Sequence, residues 1–387
     1  MRSVLPSRGT RMSTRTRRTR PAPRTAALAA ARPRLAAAVL ATALAGALAA
    51  CSGASAQTTG DDPTAASGDL PTEIPAGTSL VIGDPVTQKA VEIAGGDLDA
   101  DLGFEIEWAN VSGGPATTEA FRAGSLDVGS VADIPPIHAT WTGLDVRIIA
   151  ASYRQDWEDF PIYEFGVAPG VEGVDSLEDF AGHRIAYSPG QAQGVIVLRA
   201  LQKAGLDLDD VELVELPSTG DVYPTALAAG EVDIAPIGGV QIARYVDQYG
   251  KDGAHTVTHG LRDDPGVLYV PTSTLDDPAK AAALRAYVRL WAQAKLWVED
   301  HPDEWVQGYY VEDQGLSEED GRYLVEHAGT PDIPADWTEA IERHQETIDL
   351  LAEATGNDPI DAPDLWDQRF APVVAEAVEE YRAGASS

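Results

Sequence analysis

The chain has 387 residues and a formal net charge of −33 at pH 7, with 28 basic against 61 acidic residues. This balance repels nucleic acid phosphates and anionic lipid headgroups, so it argues against both as direct partners of the folded surface. Cys51 is the single cysteine, which excludes an internal disulfide.

The first 50 residues have the layout of a secretory signal peptide. They contain ten arginines and no Asp, Glu or Lys, and they end in an apolar run of sixteen residues at 35–50. A spanning helix needs roughly 20 apolar residues, so a cleaved signal is favoured over a transmembrane segment. The pair Arg17-Arg18 leaves the choice between Sec and twin-arginine export open.

The apolar run ends in Leu48-Ala49-Ala50-Cys51, which resembles the lipobox of bacterial lipoproteins. In that family the peptidase cuts before the cysteine, whose thiol carries a diacylglycerol, and two acyl chains suffice for stable anchoring. The alternative is an ordinary buried cysteine. We expect Cys51 to be lipidated and to hold the protein on the extracytoplasmic face of the cell membrane. Loss of the ten arginines would leave a mature charge of −43.

Residues 51–77 are rich in Gly, Ser, Thr, Ala, Asp and Pro and predict a flexible tether. From residue 78 short apolar segments alternate with segments of helical spacing, which predicts βαβ units and a parallel sheet. Strands are predicted at 78–83, 104–108, 126–130, 146–150, 165–168, 184–187, 211–216, 232–235 and 267–270. The main helices are predicted at 89–98, 195–204, 223–229, 278–299, 335–354 and 369–382.

One internal repeat suggests two lobes of similar wiring. Residues 120–128 (AFRAGSLDV) are echoed at 226–234 (ALAAGEVDI). Each copy predicts a helix end, a Gly suited to the position after the helix, and a strand that begins with an aspartate between apolar residues. After about residue 271 the pattern is mostly helical, and we expect these helices to return to the first lobe.

The sequence also resembles a known family, chiefly through Gly129-Ser130-Val131-Ala132-Asp133-Ile134-Pro135-Pro136 and the stretches 176–190 and 198–206. It is similar to the substrate-binding components of aliphatic sulfonate, taurine and nitrate ABC importers, particularly the alkanesulfonate-binding branch. The resemblance implies an α/β fold of the two-lobed periplasmic-binding-protein type II, with a ligand cleft and a hinge of two crossing strands.

The resemblance divides the chain as follows: signal peptide 1–50, tether 51–77, first lobe 78–168, second lobe 169–269, and a helical return to the first lobe at 270–387. It implies ABC permease subunits as partners, and we expect a monomer.

Ligands of open α/β sheets bind beyond the carboxyl ends of the strands, which selects the loops 83–88, 113–117, 130–133, 188–194 and 236–240. Small residues before a helix let backbone N–H groups approach an anion, although each such loop alone can be a plain turn. Arg154 is a candidate charge partner for the anion, the alternative being a solvated surface arginine. The candidate ligand-binding residues are Thr87, Gln88, Gly113, Gly114, Val131, Ala132, Asp133, Arg154, Ser188, Gly190, Gln191, Ile237 and Gly238.

An aliphatic sulfonate is the expected ligand, with one departure from the family. Where relatives carry a Trp-rich stretch, residues 234–240 read IAPIGGV, so taurine, nitrate, an aromatic carboxylate and a thiamine-type pyrimidine precursor remain alternatives. Enzymes on the same fold use cysteine, and Cys51 is committed to lipid. We therefore expect a binding protein, with no cofactor and no metal. The histidines other than His138 are predicted to lie on surface segments, while His138 could line the cleft or lie on the surface.

Overall fold

The computed structural model describes residues 68–385 except 97 and 101. The predicted signal peptide, Cys51 and most of the predicted tether lie outside these residues. The end of the tether differs from the prediction, because Leu70 is buried in the core of the first sheet. Within the described range, no helix is both long and apolar enough to cross a membrane.

Two separate sheets organise the molecule. The first has six strands in the order β11-β4-β10-β3-β1-β2, and β10 runs antiparallel to its neighbours β3 and β4. The second has five strands in the order β7-β6-β8-β5-β9, with β6, β7 and β8 parallel. The strands are β1 (Ser79–Gly83), β2 (Glu105–Trp108), β3 (Val128–Ala132), β4 (Val146–Arg154), β5 (Tyr163–Val167), β6 (Arg184–Tyr187), β7 (Glu212–Glu215), β8 (Ile234–Gly238), β9 (His255–Val257), β10 (Gly266–Pro271) and β11 (Pro331–Asp332).

Helices follow most strands, as a βαβ pattern requires. The helices are α1 (Pro85–Ala94), α2 (Gly114–Arg122), α3 (Ile134–Trp141), α4 (Ala192–Ala204), α5 (Val222–Ala229), α6 (Val240–Tyr249), α7 (Thr272–Leu275), α8 (Pro278–Asp300), α9 (Pro302–Trp305), a π-helix (Val306–Asp313), α10 (Glu318–Glu326), α11 (Thr338–Thr355) and α12 (Ala371–Ala385). Short 3-10 turns lie at Leu177–Phe180, Leu208–Asp210, Gly250–Asp252, Ala362–Leu365 and Gln368–Phe370. As expected, α8 and α12 pack on the first sheet.

The chain crosses between the sheets twice, at residues 155–162 and 258–265. Both crossings come earlier than the lobe boundaries expected at 168 and 269. The reason is that β5 already pairs in the second sheet and β10 already pairs in the first. Apolar strands of this kind reveal that they are buried, but their sequence does not tell which sheet buries them.

The internal repeat has the same structural role in each sheet. Gly124 and Gly230 have φ values of 64° and 67°, in the left-handed region that favours glycine after a helix. The aspartate that follows accepts a backbone N–H of a neighbouring strand, Asp127 from Val81 at 3.0 Å and Asp233 from Arg184 at 2.9 Å. The repeated Asp is therefore a structural bridge between strands in both halves.

Candidate functional site

The carboxyl edge of the first sheet brings three chain segments side by side. In β10, Gly266 pairs with Ala132 at the end of β3 and with Ser152 near the end of β4. Because β3 and β4 run in the same direction, their carboxyl ends meet at one edge, next to the two crossings to the second sheet. This edge is where the fold places ligands of open α/β sheets.

A cavity of about 630 Å³ opens at this edge. Its floor is formed by Ser152, Tyr153, Arg154 and Gly266, with Val86 from the first turn of α1. Its walls come from the end of α8, the π-helix and α10, and from Ile162 and Asp264 on the two crossings. The volume lies within the roughly 300–1,000 Å³ typical of small-molecule sites.

Two cations line this cavity. The Arg154 guanidinium donates through Nη1 to the carbonyl oxygens of Phe160 and His327, and within the described residues no hydrogen bond uses its Nε or Nη2. Lys295 Nζ lies 5.1 Å from the centre of the Trp291 ring, and no described carboxylate forms an ion pair with it. Burial lowers the pKa of both cations, because a low-dielectric wall disfavours the charged form.

Carboxylates near the cavity offset part of this positive charge, since Asp263, Asp264 and Asp156 all oppose the lowering of the pKa of Arg154. Asp264 accepts the backbone N–H of Arg154 at 2.5 Å and forms an ion pair with Arg262. Asp84 is buried behind the cavity wall, and its charge partly opposes the lowering of the pKa of Lys295. Glu299 is exposed at the rim. Arg154 and Lys295 are thus cations that line the cavity, and neither forms a salt bridge with a described residue.

Aromatic side chains also line the cavity. Trp305 and Tyr309 stack with ring centres 4.3 Å apart, and Tyr310 lies edge-on to Trp305 at 6.3 Å. Two glycines let this segment pack closely: a Cβ added to Gly308 would meet Ile93 at 2.6 Å, and one added to Gly321 would meet Tyr310 at 3.0 Å. The π-helix is a rare geometry that is frequent at functional sites.

The predicted site residues around α1 and α2 have side chains that are already engaged or absent, so they would offer mainly backbone groups to a ligand. Asp84 caps α1 and accepts both the N–H and the hydroxyl of Thr87, so the Thr87 side chain is engaged. Gln88 donates to Glu92 on the helix surface. Gly113 has φ +80°, and a Cβ on Gly114 would meet Pro135 at 2.6 Å, so this loop needs both glycines to lie against α3.

The predicted loop after β3 meets α4 from the other sheet. Ala132 and Asp133 line a small cavity of about 20 Å³ together with Ala192 at the start of α4, enough for one water molecule. The Asp133 carbonyl accepts from His344. Val131 belongs to β3 and pairs with Val267 of β10.

The predicted loop 188–191 lies against the first lobe. A Cβ on Gly190 would lie 3.4 Å from the ring of His138. Ser188 is buried, and Gln191 begins α4 without a side-chain capping bond.

The remaining predicted residues fall into two groups. Arg154 lines the large cavity as described, and Gly238 lies close to Ile162, which also lines it. Ile237 instead belongs to the apolar core of the second sheet. The structure thus places Arg154 and the loops 83–88 and 236–240 at or beside the large cavity, while Ala132 and Asp133 face the small one.

Sequence reasoning missed several residues that line the cavity, among them Lys295, Trp305, Tyr309 and Tyr310. The available signal was a lysine between Trp291 and Trp297 on a predicted helix. Two histidines were also misplaced, since His259 and His344 are buried. In the part of the chain that the structure describes, no three His, Cys, Asp or Glu side chains are grouped as a metal site.

Comparison with known proteins gives a family and a fold. A family model described as "NMT1/THI5 like" matches residues 100–304. A curated "Putative aliphatic sulfonates-binding protein" of Escherichia coli (strain K12) is 32% identical over 108 residues, which are 28% of this chain and 32% of the relative. The alignment therefore spans about a third of that relative, and the resemblance predicted from the sequence is confirmed.

Solved structures share the architecture. The periplasmic aliphatic sulphonate binding protein SsuA from Escherichia coli superposes with a TM-score of 0.63 at 20% identity, covering 76% of this chain and 99% of that one. SsuA from Xanthomonas axonopodis pv. citri, bound to MOPS, gives 0.61 at 22% identity with the same coverage. The desulfurization enzyme DSZB gives 0.51 at 19% identity, covering 79% and 100%. The predicted periplasmic-binding-protein fold is confirmed, and these identities carry the fold alone.

Proposed function

Because the chain belongs to the NMT1/THI5-like family, we propose that it is the extracytoplasmic solute-binding component of an ABC importer and captures a small organic anion. The fold that it shares with sulfonate-binding proteins supports this role. Its partners in this proposal are the ligand and the permease subunits, and it acts as a monomer.

The observation that carries the proposal is the cavity at the carboxyl edge of the first sheet. It combines a ligand-sized volume with two cations, Arg154 and Lys295, neither of which forms a salt bridge within the described residues. The rest of the folded surface is strongly acidic. The acidic surface repels an anion at long range, so the local charges of the cavity must hold the anion.

A sulfonate is the proposed ligand group. Its three oxygens accept hydrogen bonds from an ammonium and a guanidinium together, and such charge-assisted bonds are the stronger ones in proteins. The sulfonate-binding relatives point the same way. Taurine, nitrate, an aromatic carboxylate and a thiamine-type pyrimidine precursor are the rival ligands, and the candidate loops 113–117, 130–133 and 188–194 remain predicted contacts around the cleft.

Binding without turnover is proposed, although the enzyme DSZB shares the fold. The specific reason is that Cys51, the single cysteine, lies in the predicted lipobox. Thiol chemistry in the cavity would need a cysteine in the folded part of the chain. Incubation with sulfinates or sulfonates should release no sulfite, and catalytic sulfite release would contradict the binding role.

Anchoring through a diacylglycerol on Cys51 is part of the proposal. In cells, the Cys51→Ser variant should lose its membrane association and appear in the soluble extracytoplasmic fraction. A Ser52→Ala variant, altered at the next residue, serves as the control and should stay in the membrane fraction. Retention of Cys51→Ser in the membrane fraction would refute lipidation while leaving ligand binding untouched.

A thermal-shift panel tests the ligand class. Sulfonates, sulfate esters, taurine, nitrate, carboxylates and pyrimidine precursors are each added to the purified protein. A ligand at 100 times its dissociation constant stabilises the fold by roughly 2.7 kcal/mol, which such an assay detects readily. A shift with sulfonates and none with nitrate or pyrimidines is the expected result. No shift with any organic anion would contradict the proposed function.

A further inference from the structure

Lys295 lines the cavity without a salt bridge to a described residue, although the charge of Asp84 acts on it. It projects from α8 into the cavity wall, where its ammonium lies over the Trp291 ring and forms no ion pair or hydrogen bond with the described residues. Structural lysines elsewhere in the chain are paired: Lys280 with Asp127 at 2.6 Å and Lys89 with Asp313 at 2.8 Å. A half-buried, unpaired ammonium is costly unless an anion accompanies it.

The remaining lining residues indicate the chemistry of the other end of the ligand. Beyond the two cations its surface is mainly apolar and aromatic, with the stacked pair Trp305 and Tyr309 and the aliphatic side chains of Val298 and Leu324. Flat aromatic walls of this kind favour a ring, because ring contacts in stacked or edge geometry add to the apolar burial. A volume of about 630 Å³ is far larger than a one-carbon sulfonate needs.

We propose that the cavity binds a ring-bearing organic sulfonate, with the acid group between Lys295 and Arg154 and the ring against Trp305 and Tyr309. This assignment rests on the proposed function and names its substrate class. Both cations lie on the first lobe or its crossing edge, so the first lobe supplies the charge recognition. Ile162 and Gly239, which lies against Leu324, bring the second lobe to the cavity rim.

Calorimetric titration of the purified protein with benzenesulfonate tests the charge assignment. A hydrogen-bonded ion pair of this type is worth roughly 10- to 100-fold in affinity. The Lys295→Met variant should therefore bind benzenesulfonate at least ~10-fold more weakly than the wild type. Lys295→Arg, which keeps the charge, should retain most of the affinity. Lys251→Met removes the same charge from an exposed position in the second lobe and should bind as the wild type does.

The ring assignment is tested with two further probes. Methanesulfonate carries the acid group without the ring, and benzenesulfonamide carries the ring without the charge. Both should bind the wild type more weakly than benzenesulfonate. The Tyr309→Ala variant should lose affinity for benzenesulfonate while its weak binding of methanesulfonate stays unchanged. Unfolding midpoints of every variant, measured beside the titrations, identify any loss of affinity that comes from misfolding.

The outcomes separate this assignment from the function on which it rests. If the wild type binds sulfonates and Lys295→Met binds them as well as Lys251→Met does, the charge assignment is overturned and the solute-binding role stands. If methanesulfonate binds the wild type as tightly as benzenesulfonate, the ring assignment is overturned. If no organic anion binds the wild type, the proposed function fails together with the assignment.

Discussion

The hydroxyl of Tyr287 hydrogen-bonds the buried carboxylate of Asp84, and its removal tests how that carboxylate is stabilised. Tyr287 is fully buried on α8 and donates to Oδ2 of Asp84 at 2.9 Å. Asp84 is 2% exposed and also accepts two bonds from Thr87, the hydroxyl at 2.7 Å and the N–H at 3.2 Å. Burial raises the pKa of Tyr287 well above its usual range, so the phenol remains a donor at neutral and moderately alkaline pH.

The Tyr287→Phe variant removes one hydrogen bond to a charged acceptor and leaves the ring in place. Bonds to charged groups contribute roughly 1.5–3 kcal/mol and neutral ones roughly 0.5–1.5 kcal/mol. Tyr245 supplies the matched control, since it is 2% exposed and donates to the neutral Val167 carbonyl, also at 2.9 Å. We expect Tyr287→Phe to lower the free energy of unfolding by about 2 kcal/mol and Tyr245→Phe by about 1 kcal/mol.

Urea-induced unfolding, followed by far-UV circular dichroism and by tryptophan fluorescence, measures both variants. The comparison removes the effect of deleting a buried oxygen, which is common to the two changes. A cost for Tyr287→Phe equal to or below that for Tyr245→Phe would refute the reasoning, because it would mean that Asp84 does not depend on the phenol for its burial.

Two further predictions concern α4 and α11. Gly194→Ala should lower the free energy of unfolding by up to about 2 kcal/mol, because the added Cβ would meet the Ser188 carbonyl oxygen at 2.2 Å. An overpacking cost at the upper end of roughly 1–3 kcal/mol is offset by roughly 1 kcal/mol of helix propensity, and unchanged or raised stability in urea would contradict this. His344 donates from Nε2 to Asp133 and accepts at Nδ1 from Trp366, so it is neutral, and burial lowers its pKa below 6.5. The contribution of neutral His344 to stability is present above pH 6.5 and is lost as the pH falls below that value, by up to about 1.4 kcal/mol per pH unit until the folded pKa is reached. The His344→Asn variant should remove this slope when the free energy of unfolding is measured from pH 7.5 to 4.5. An identical slope in the variant would contradict the prediction.

Local sequence signals predicted most of the sheet strands and several helix ends. Arg184–Tyr187 was predicted at its observed bounds, and α8 began at the predicted Pro278 because Asp277 caps it. α1 begins four residues before its predicted start at 89, since Pro85 fits the first helical turn and Gly95 ends the helix at φ +73°. These signals are local, so they can be read without knowing the fold.

Other elements depend on contacts between distant segments. α3 begins Ile134-Pro135-Pro136, which suggests a turn until the prolines are placed in the first helical turn. The π-helix packs closely on its neighbours, with Gly308 against Ile93 and Gly321 against Tyr310. No periodicity in the sequence records such contacts.

The same limit explains the site. The rule on strand carboxyl ends selected the edge of the first sheet at which the large cavity and Arg154 lie. Lys295 was missed because its side of α8 lines a cavity only where the π-helix and α10 fold beside it. His344 was predicted to lie on the surface, and its burial depends on Trp366 and Asp133, which are distant in sequence.

The position of a bound sulfonate tests the central claim most directly. A crystal of the protein grown with benzenesulfonate would locate the ligand sulfur by its anomalous scattering. We expect the sulfur in the cavity at the carboxyl edge of the first sheet, with sulfonate oxygens about 2.7–3.2 Å from Lys295 Nζ and from the Arg154 guanidinium. A sulfur located away from Lys295 and Arg154 would contradict it.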